Sequence, residues 1–322
     1  GPYVQSQRFE LYKKYAQELV EKGEAYYCFC DAERLERIRK IQTENKMAPG
    51  YDRNCRHLTE EEVKVNLAAG KPYVIRLKVP LEGETVFHDH LLGDITWKNE
   101  DISPDPVLLK SDGFPTYHLA NIVDDHLMKI SHVMRAQEWI PSTPLHVQMY
   151  RSFGWEHPEF CHLPMVNGSD GKKLSKRHGS VSFQELVKNG YLPQAIINYM
   201  AFTGWCPKDT NEEFFTIDEL AKVFSIDGIS KSPAVFDYEK LRWFNFEYIR
   251  RLPFEEYLRQ VTPWFDRVLS ADRFDYRRLA ELMQERTEIF SQVPDMVRFL
   301  GELPDYDLEL YTHKKMKTNA EN

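Results

Sequence analysis

The chain has 322 residues, 42% hydrophobic and 29% charged, with a net charge of −8. This is a soluble globular profile of two or three domains, and without a run of about 18 apolar residues it excludes a transmembrane helix. The acidic total argues against a chain-wide nucleic-acid surface but not against local ones, because binding needs local positive charge; two basic clusters stand near 172–178 and 313–317.

In chain order, Phe9, Leu11, Tyr12, Tyr15, Leu19 and Val20 fall on one face and predict a helix over 5–22, ended by Gly23. No signal peptide is read in this polar opening, so the expected compartment is the cytoplasm. A second amphipathic helix is expected over 31–45. Tyr73, Ile75 and Leu77 alternate with Val74, Arg76 and Lys78, as in a strand. Turns at Gly83 and Gly93 suggest a small sheet. From about residue 107, short apolar runs (107–109, 119–123, 130–134 and 163–166) alternate with a helix near 143–153. Buried strands alternating with helices suggest a parallel sheet. Beyond 180 the chain reads as helical, with capping boxes at Ser182/Glu185 and Thr216/Glu219. Residues 253–322 read as all helix.

Five cysteines lack the spacing of a disulfide framework. Cys28-Phe29-Cys30 and Cys55-Arg56-His57 offer three thiols and an imidazole, a set that fits a closed structural zinc site. Cys161 and Cys206 are isolated and read as structural. The segment Gly168-Ser169-Asp170-Gly171-Lys172-Lys173-Leu174-Ser175-Lys176-Arg177-His178-Gly179 places four lysine and arginine charges within six residues, between glycines. Such a loop suits a polyphosphate whose charge must be neutralised as a phosphorus–oxygen bond breaks. It is not a Walker A loop. By composition alone it could equally be a solvated basic turn.

Lys173-Leu174-Ser175-Lys176-Arg177 resembles the KMSKS signature of class I aminoacyl-tRNA synthetases in its glutamyl form. Lys110 to Trp139, the opening GPYVQSQRFELYKKYAQELVEKGEAYYCFC, and Lys231-Ser232-Pro233 through Leu241-Arg242-Trp243 resemble the same enzymes. The chain is similar nearly end to end to bacterial-type glutamyl-tRNA synthetases. The resemblance implies activation of L-glutamate by ATP and Mg²⁺ and its transfer to tRNA(Glu) by a monomer. It implies phosphate contacts from Lys176, assisted by Lys173. Tyr117, Asn121 and Arg135 would contact glutamate, with Glu138 beside ATP and Trp139 lining the site. Gln137 departs from relatives that carry a carboxylate there. Zn²⁺ is implied in an insert that grips the acceptor stem, with Tyr51 or His57 as fourth ligand.

The expected fold is α/β. Residues 1–27 would be a remnant of the first half of a Rossmann domain, 28–115 the insert, and 116–170 the second half. Residues 171–252 would contact the tRNA stem and carry the KLSKR loop, and 253–322 would begin a helical anticodon-binding domain. No HIGH motif is found, so the chain is expected to be incomplete at both ends and inactive alone. The alternatives are a non-catalytic tRNA-binding fragment, a glutaminyl enzyme, and an enzyme that glutamylates a modified base of tRNA(Asp). The helical tail argues against the last two.

Overall fold

The computed structural model describes residues 3–175, 177, 179, 182–302, 307, 309, 312, 315 and 316. Lys176, His178 and most of the basic run 313–317 lie outside the described residues. The chain divides into two compact units, Gly1–Leu163 and Pro164–Asn322.

The first unit is mixed α/β. Helix α1 (Phe9–Glu21) buries Tyr12, Ala16 and Leu19 at helical spacing. It ends at Gly23, whose φ of 76° is the left-handed turn a glycine adopts without strain. An ion-pair cluster holds its start to α4 (Tyr117–Leu127): the buried Asp124 carboxylate accepts from Arg8 Nε at 3.1 Å and Tyr12 Oη at 2.7 Å. Strands β1 (Ala25–Cys28), β2 (Val74–Leu77) and β5 (Val107–Leu109) form an antiparallel sheet. Helices α2 (Ala32–Glu44) and α3 (Glu60–Ala68) lie between β1 and β2 in sequence.

A second sheet has the order β4-β3-β7-β6. Strands β3 (Glu84–Asp89) and β4 (Gly93–Lys98) form a hairpin. Strands β6 (His132–Ala136) and β7 (Glu159–Leu163) are parallel, joined by α5 (Thr143–Phe153), the connection that parallel neighbours require. The hairpin joins this pair through parallel pairing of Asp89 with Phe160. Part of the 28–115 stretch therefore belongs to the β6–β7 sheet, where sequence reading set it apart. The inward face of β3 is polar as well as apolar. Thr85 Oγ1 donates to Asn99 Oδ1 and accepts from Gln148 Nε2 of α5, each at 2.6 Å.

Residues 119–123, expected as a strand-like run, lie inside α4. Leu119, Ile122 and Val123 are all buried, and the i, i+3, i+4 spacing satisfies a helix; a short apolar run does not by itself separate helix from strand. The 163–166 run is broken at Pro164 between β7 and the next strand.

In the second unit, β8 (Val166–Asn167) pairs in parallel with β9 (Ala234–Val235). Helices α6 (Phe183–Lys188), α7 (Pro193–Ala201), α8 (Ile217–Val223) and α9 (Tyr238–Arg251) follow the expected helical texture. Thr216 and Glu219 complete a capping box on α8, and the Ser182 hydroxyl accepts from the Glu185 amide on α6. Helices α10 (Phe254–Phe265), α11 (Tyr276–Met283) and α12 (Val293–Gly301) enclose Tyr257, Val261, Phe265 and Val293. Buried Asn245 joins loops on two sides, accepting from Leu192 N at 2.7 Å and donating to Glu288 O at 2.6 Å.

Gly190 tests this packing. Its φ is +89°, and a Cβ there would lie 2.7 Å from Ser291 N and 2.9 Å from Phe290 Cβ. Gly154 has a similar φ of +75° with nothing within 4 Å. Gly154→Ala is expected to cost about 1 kcal/mol from backbone strain alone. Gly190→Ala should cost markedly more, read as a larger fall in the denaturant midpoint; equal costs would refute the close approach.

Candidate functional site

Arg135 occupies the sheet position that organises the first unit's polar site. Its guanidinium, half-buried on β6, donates from Nε to His162 Nε2 at 3.2 Å, from one terminal nitrogen to His146 Nδ1 at 3.1 Å, and from the other to Thr143 Oγ1 at 2.8 Å. All three acceptors are neutral. Among the described residues no carboxylate forms an ion pair with Arg135. A guanidinium has five N–H donors, so two remain beyond these three bonds.

The histidines behind Arg135 are locked by a carboxylate. Asp89, fully buried at the end of β3, accepts from His162 Nδ1 at 2.7 Å, His162 N at 2.9 Å, and Leu91 N and Leu92 N at 3.0 Å each. Because that carboxylate only accepts, His162 is protonated on Nδ1, and its Nε2 lone pair faces Arg135. The same logic continues on the other side. His146 Nδ1 accepts from Arg135, so His146 Nε2 carries the proton and donates to His118 Nδ1 at 2.9 Å.

Burial first, and the Arg135 charge second, pull the His118 imidazole below its ordinary value. The same two causes take His146 down to about 2. Burial likewise lowers His162, with Asp89 opposing. Burial also pulls Arg135 down, with Tyr117 opposing. The site is thus one half-buried cation among neutral rings, a cost that an incoming anion relieves.

The remaining predicted residues of this group lie around Arg135. Tyr117 is exposed at the start of α4, its ring 4.9 Å from that of Trp139. Trp139 in turn lies 5.8 Å from the Arg135 guanidinium. Asn121 follows one turn after Tyr117 on α4. Glu138 is exposed on the 3-10 turn Gln137–Ser142 that leads into α5. Asp89, His118, Thr143, His146 and His162 were missed by the sequence reading. Asp89 left a usable signal: it shares the inward face of an alternating strand with Thr85 and Phe87, where a carboxylate needs donors. The histidines left none.

Three thiols converge elsewhere in this unit. The sulfurs of Cys28, Cys30 and Cys55 all lie within 4.8 Å of one another. Cys30 and Cys55 Sγ are 3.5 Å apart. His57 is not in this group; it sits exposed at the end of the 3-10 turn Asn54–His57. Tyr51 stands against the thiols: its Oη is 3.3 Å from Cys28 Sγ and 3.6 Å from Cys30 Sγ, and accepts from Cys55 N at 3.0 Å. The direct cause is the 3-10 turn, which places Cys55 inward and His57 outward. Arg34 donates toward Cys30 Sγ at 3.6 Å and Asn54 toward Cys55 Sγ at 3.7 Å. Its hydrogen bond with Cys28 pulls the Cys55 thiol down to about 6. The donor set suits a thiophilic cation.

The basic loop lies in the second unit. Its described part is a tight hairpin on β8. Gly168 N donates to Lys172 O at 2.8 Å, and Leu174 N to Val166 O at 3.0 Å. Lys173 pairs with Asn167 across it. Gly171 turns the chain at φ 72°, and Asp170 accepts from Lys172 N and Arg177. At Gly179, a Cβ would lie 3.1 Å from the Tyr238 hydroxyl.

Comparison with known proteins places these features in a family. Residues 1–243 match the family of class I tRNA synthetases (E and Q), catalytic domain, and residues 256–322 match an anticodon binding domain. The chain belongs to the class I tRNA synthetase (E and Q) family. It is 56% identical to a glutamate–tRNA ligase of Treponema denticola, over 94% of this chain and 65% of that protein. It is 58% identical to one of Borrelia duttonii, over 93% of this chain and 60% of that protein. The chain therefore spans about two thirds or less of the curated relatives it matches. A crystal structure of a glutamate tRNA ligase from Elizabethkingia meningosepticum, in complex with its amino acid, superposes with a TM-score of 0.85 at 34% identity, over 98% of this chain and 68% of that one.

The neutral histidines make stability depend on pH. An unfolded imidazole titrates near ~6.5, but folded His146 only near about 2. Between those values the unfolded chain binds more protons, so stability is fully present above about 6.5 and falls as pH drops below it. His146 alone contributes a slope of about 1.4 kcal/mol per pH unit well inside that window. In denaturant unfolding at stepped pH, His146→Gln should flatten the acid limb by that amount. An unchanged slope would mean that His146 charges in the folded protein.

Proposed function

We propose that this chain carries the amino-acid site and the polyphosphate loop of a glutamate–tRNA ligase. The observation that carries the reading is the Arg135 guanidinium, bonded only to neutral acceptors and left with donors for a carboxylate. In this reading Arg135 holds a carboxylate of L-glutamate, while Tyr117 and Asn121 supply further hydrogen bonds and Trp139 walls the site. The α-carboxylate oxygen attacks the α-phosphorus of ATP, and pyrophosphate leaves. Lys176, assisted by Lys173, follows the charge on the departing phosphates as a point charge, and Glu138 lies on the ATP side. Mg²⁺, when bound, would neutralise phosphate charge. The terminal adenosine of tRNA(Glu) then takes the glutamyl group, and AMP leaves. Residues 28–115, apart from the β3–β4 hairpin, would meet the acceptor stem, 171–252 the stem, and 253–322 the anticodon end.

The test is amino-acid-dependent ATP–pyrophosphate exchange with the complete gene product. Glutamate should support exchange and glutamine should not. Arg135→Lys should lower kcat/KM for glutamate by about 10²-fold, because a point charge replaces a planar fork. Exchange without glutamate dependence, or an Arg135→Lys enzyme with wild-type parameters, would sink the reading. A tRNA-binding protein without catalysis would show no exchange at all.

The cysteine cluster supports Zn²⁺ held by Cys28, Cys30, Cys55 and Tyr51. Four ligands close the shell, so the role is structural. The chain should bind one Zn²⁺ at this cluster. Tyr51→Phe should weaken that binding by roughly tenfold or more, and His57→Ala should leave it unchanged. Chelator competition reads both variants, and the reverse pattern would restore His57 as the ligand.

A further inference from the structure

Across the bottom of the β3–β7–β6 sheet, a second group of ligand-type side chains stands on the solvent face. It comprises His90, His132 and Glu159, all exposed, each offering one ligand atom within 4.8 Å of the others. The backbone that presents them is rigid. His90 N donates to Phe160 O at 2.9 Å, Glu159 N donates to Ser131 O at 2.9 Å, and His132 is the direct cross-strand partner of Glu159. Three adjacent strand ends thus fix three ligand stems.

The side chains are not explained by an ion pair alone. His90 Nε2 contacts the Glu159 carboxylate, and an exposed pair of that kind contributes at most about 1 kcal/mol. It has no use for a third group. Yet the His132 ring lies 5.8 Å from that of His90 at an interplanar angle of 21°. Two protonated rings stacked this way would repel, whereas two neutral ones present lone pairs beside a carboxylate. His132 Nδ1 lies 3.0 Å from Ser131 Oγ; in the tautomer that carries its proton on Nδ1, His132 keeps its Nε2 lone pair for a metal, the arrangement typical of a ligating histidine.

We propose that His90, His132 and Glu159 form a surface site for a divalent transition cation, Zn²⁺ or a near neighbour, with water completing the shell. Ligand atoms at tetrahedral zinc stand about 3.3 Å apart, given bonds of about 2.0–2.2 Å. Closure from the observed spacing needs only rotations of exposed side chains. Two imidazoles and one carboxylate match the preference of such ions for nitrogen with oxygen. His88 is the natural control. It points to the same face, its ring 6.2 Å from that of His90, but its Nδ1 is engaged by Asp94 Oδ1 at 2.6 Å. The site would clip the ends of β3, β6 and β7 together on the outside of the sheet. It stands independently of the proposed ligase activity; the one equivalent already bound in its test is the one assigned above to the cysteine cluster.

The experiment titrates Zn²⁺ into protein already loaded with one equivalent, by calorimetry, with side-chain imidazole nitrogen NMR as the second readout. One further, weaker equivalent is expected, shifting the resonances of His90 and His132 but not those of His146 or His162. His90→Ala and His132→Ala should each abolish it. Glu159→Gln should weaken it by roughly tenfold or more, since even partners behind the ligands are worth that much. His88→Ala should leave it intact. Binding to folded protein should also raise the Tm of the wild type and not of His132→Ala. No further equivalent, one that survives His90→Ala or His132→Ala, or one lost with His88→Ala would overturn the site.

Discussion

A carboxylate taken wholly out of water must be surrounded by donors, and in this protein that demand shapes the region around Arg135. Asp89 meets it with four N–H groups, two from its own turn and two from His162. Those bonds settle which nitrogen of His162 carries the proton, and through it which acceptors face Arg135. Replacing one member therefore changes more than one bond. A buried charge stripped of a partner costs several kcal/mol, and the rings beyond it would lose the hydrogen-bond sense that holds the cation. Asp124 repeats the device, drawing Arg8 and Tyr12 of the opening segment onto α4.

Much of the architecture was legible where periodicity was long. Helix α1 and helix α5 follow from their spacing, and the helical character of the second unit follows from its capping residues and texture. Leu119 to Val123 misled because four apolar residues around Asn121 fit a strand as well as a helix; the helix is set by what Ile122 and Val123 pack against. The hairpin at 84–98 was visible as turns, but not its partner, since the pairing of Asp89 with Phe160 spans seventy-one residues of sequence.

The site divides along a similar line. Residues that carry chemistry by type, such as Arg135 and the three cysteines, could be picked out from the sequence and its resemblance to a family. Residues that act by position could not. His146 and His162 are two histidines among eleven, and only burial beside Arg135 gives them meaning. Tyr51 and His57 are both plausible donors on paper. The short turn over Asn54–His57 faces Cys55 inward and leaves His57 exposed, whereas Tyr51, ahead of that turn, stands against the thiols. Lys176, the residue on which the phosphate argument leans, lies outside the described residues, so its place in the chemistry rests on sequence pattern.

Asp105 has a consequence of its own. Fully buried and held at φ 39°, it accepts from Tyr26 Oη of β1, Arg56 beside the cysteine turn, and the backbone N–H of Val79 just past β2, while its carbonyl accepts from Arg76. The cysteine turn and the edge of the antiparallel sheet therefore share one anchor. Neither can open without leaving that anion short of donors, so the two should exchange with solvent as a single cooperative unit. Whatever tightens the thiol cluster then also slows the breathing of the sheet whose first strand ends at Cys28, so that order at one corner is shared along its strands.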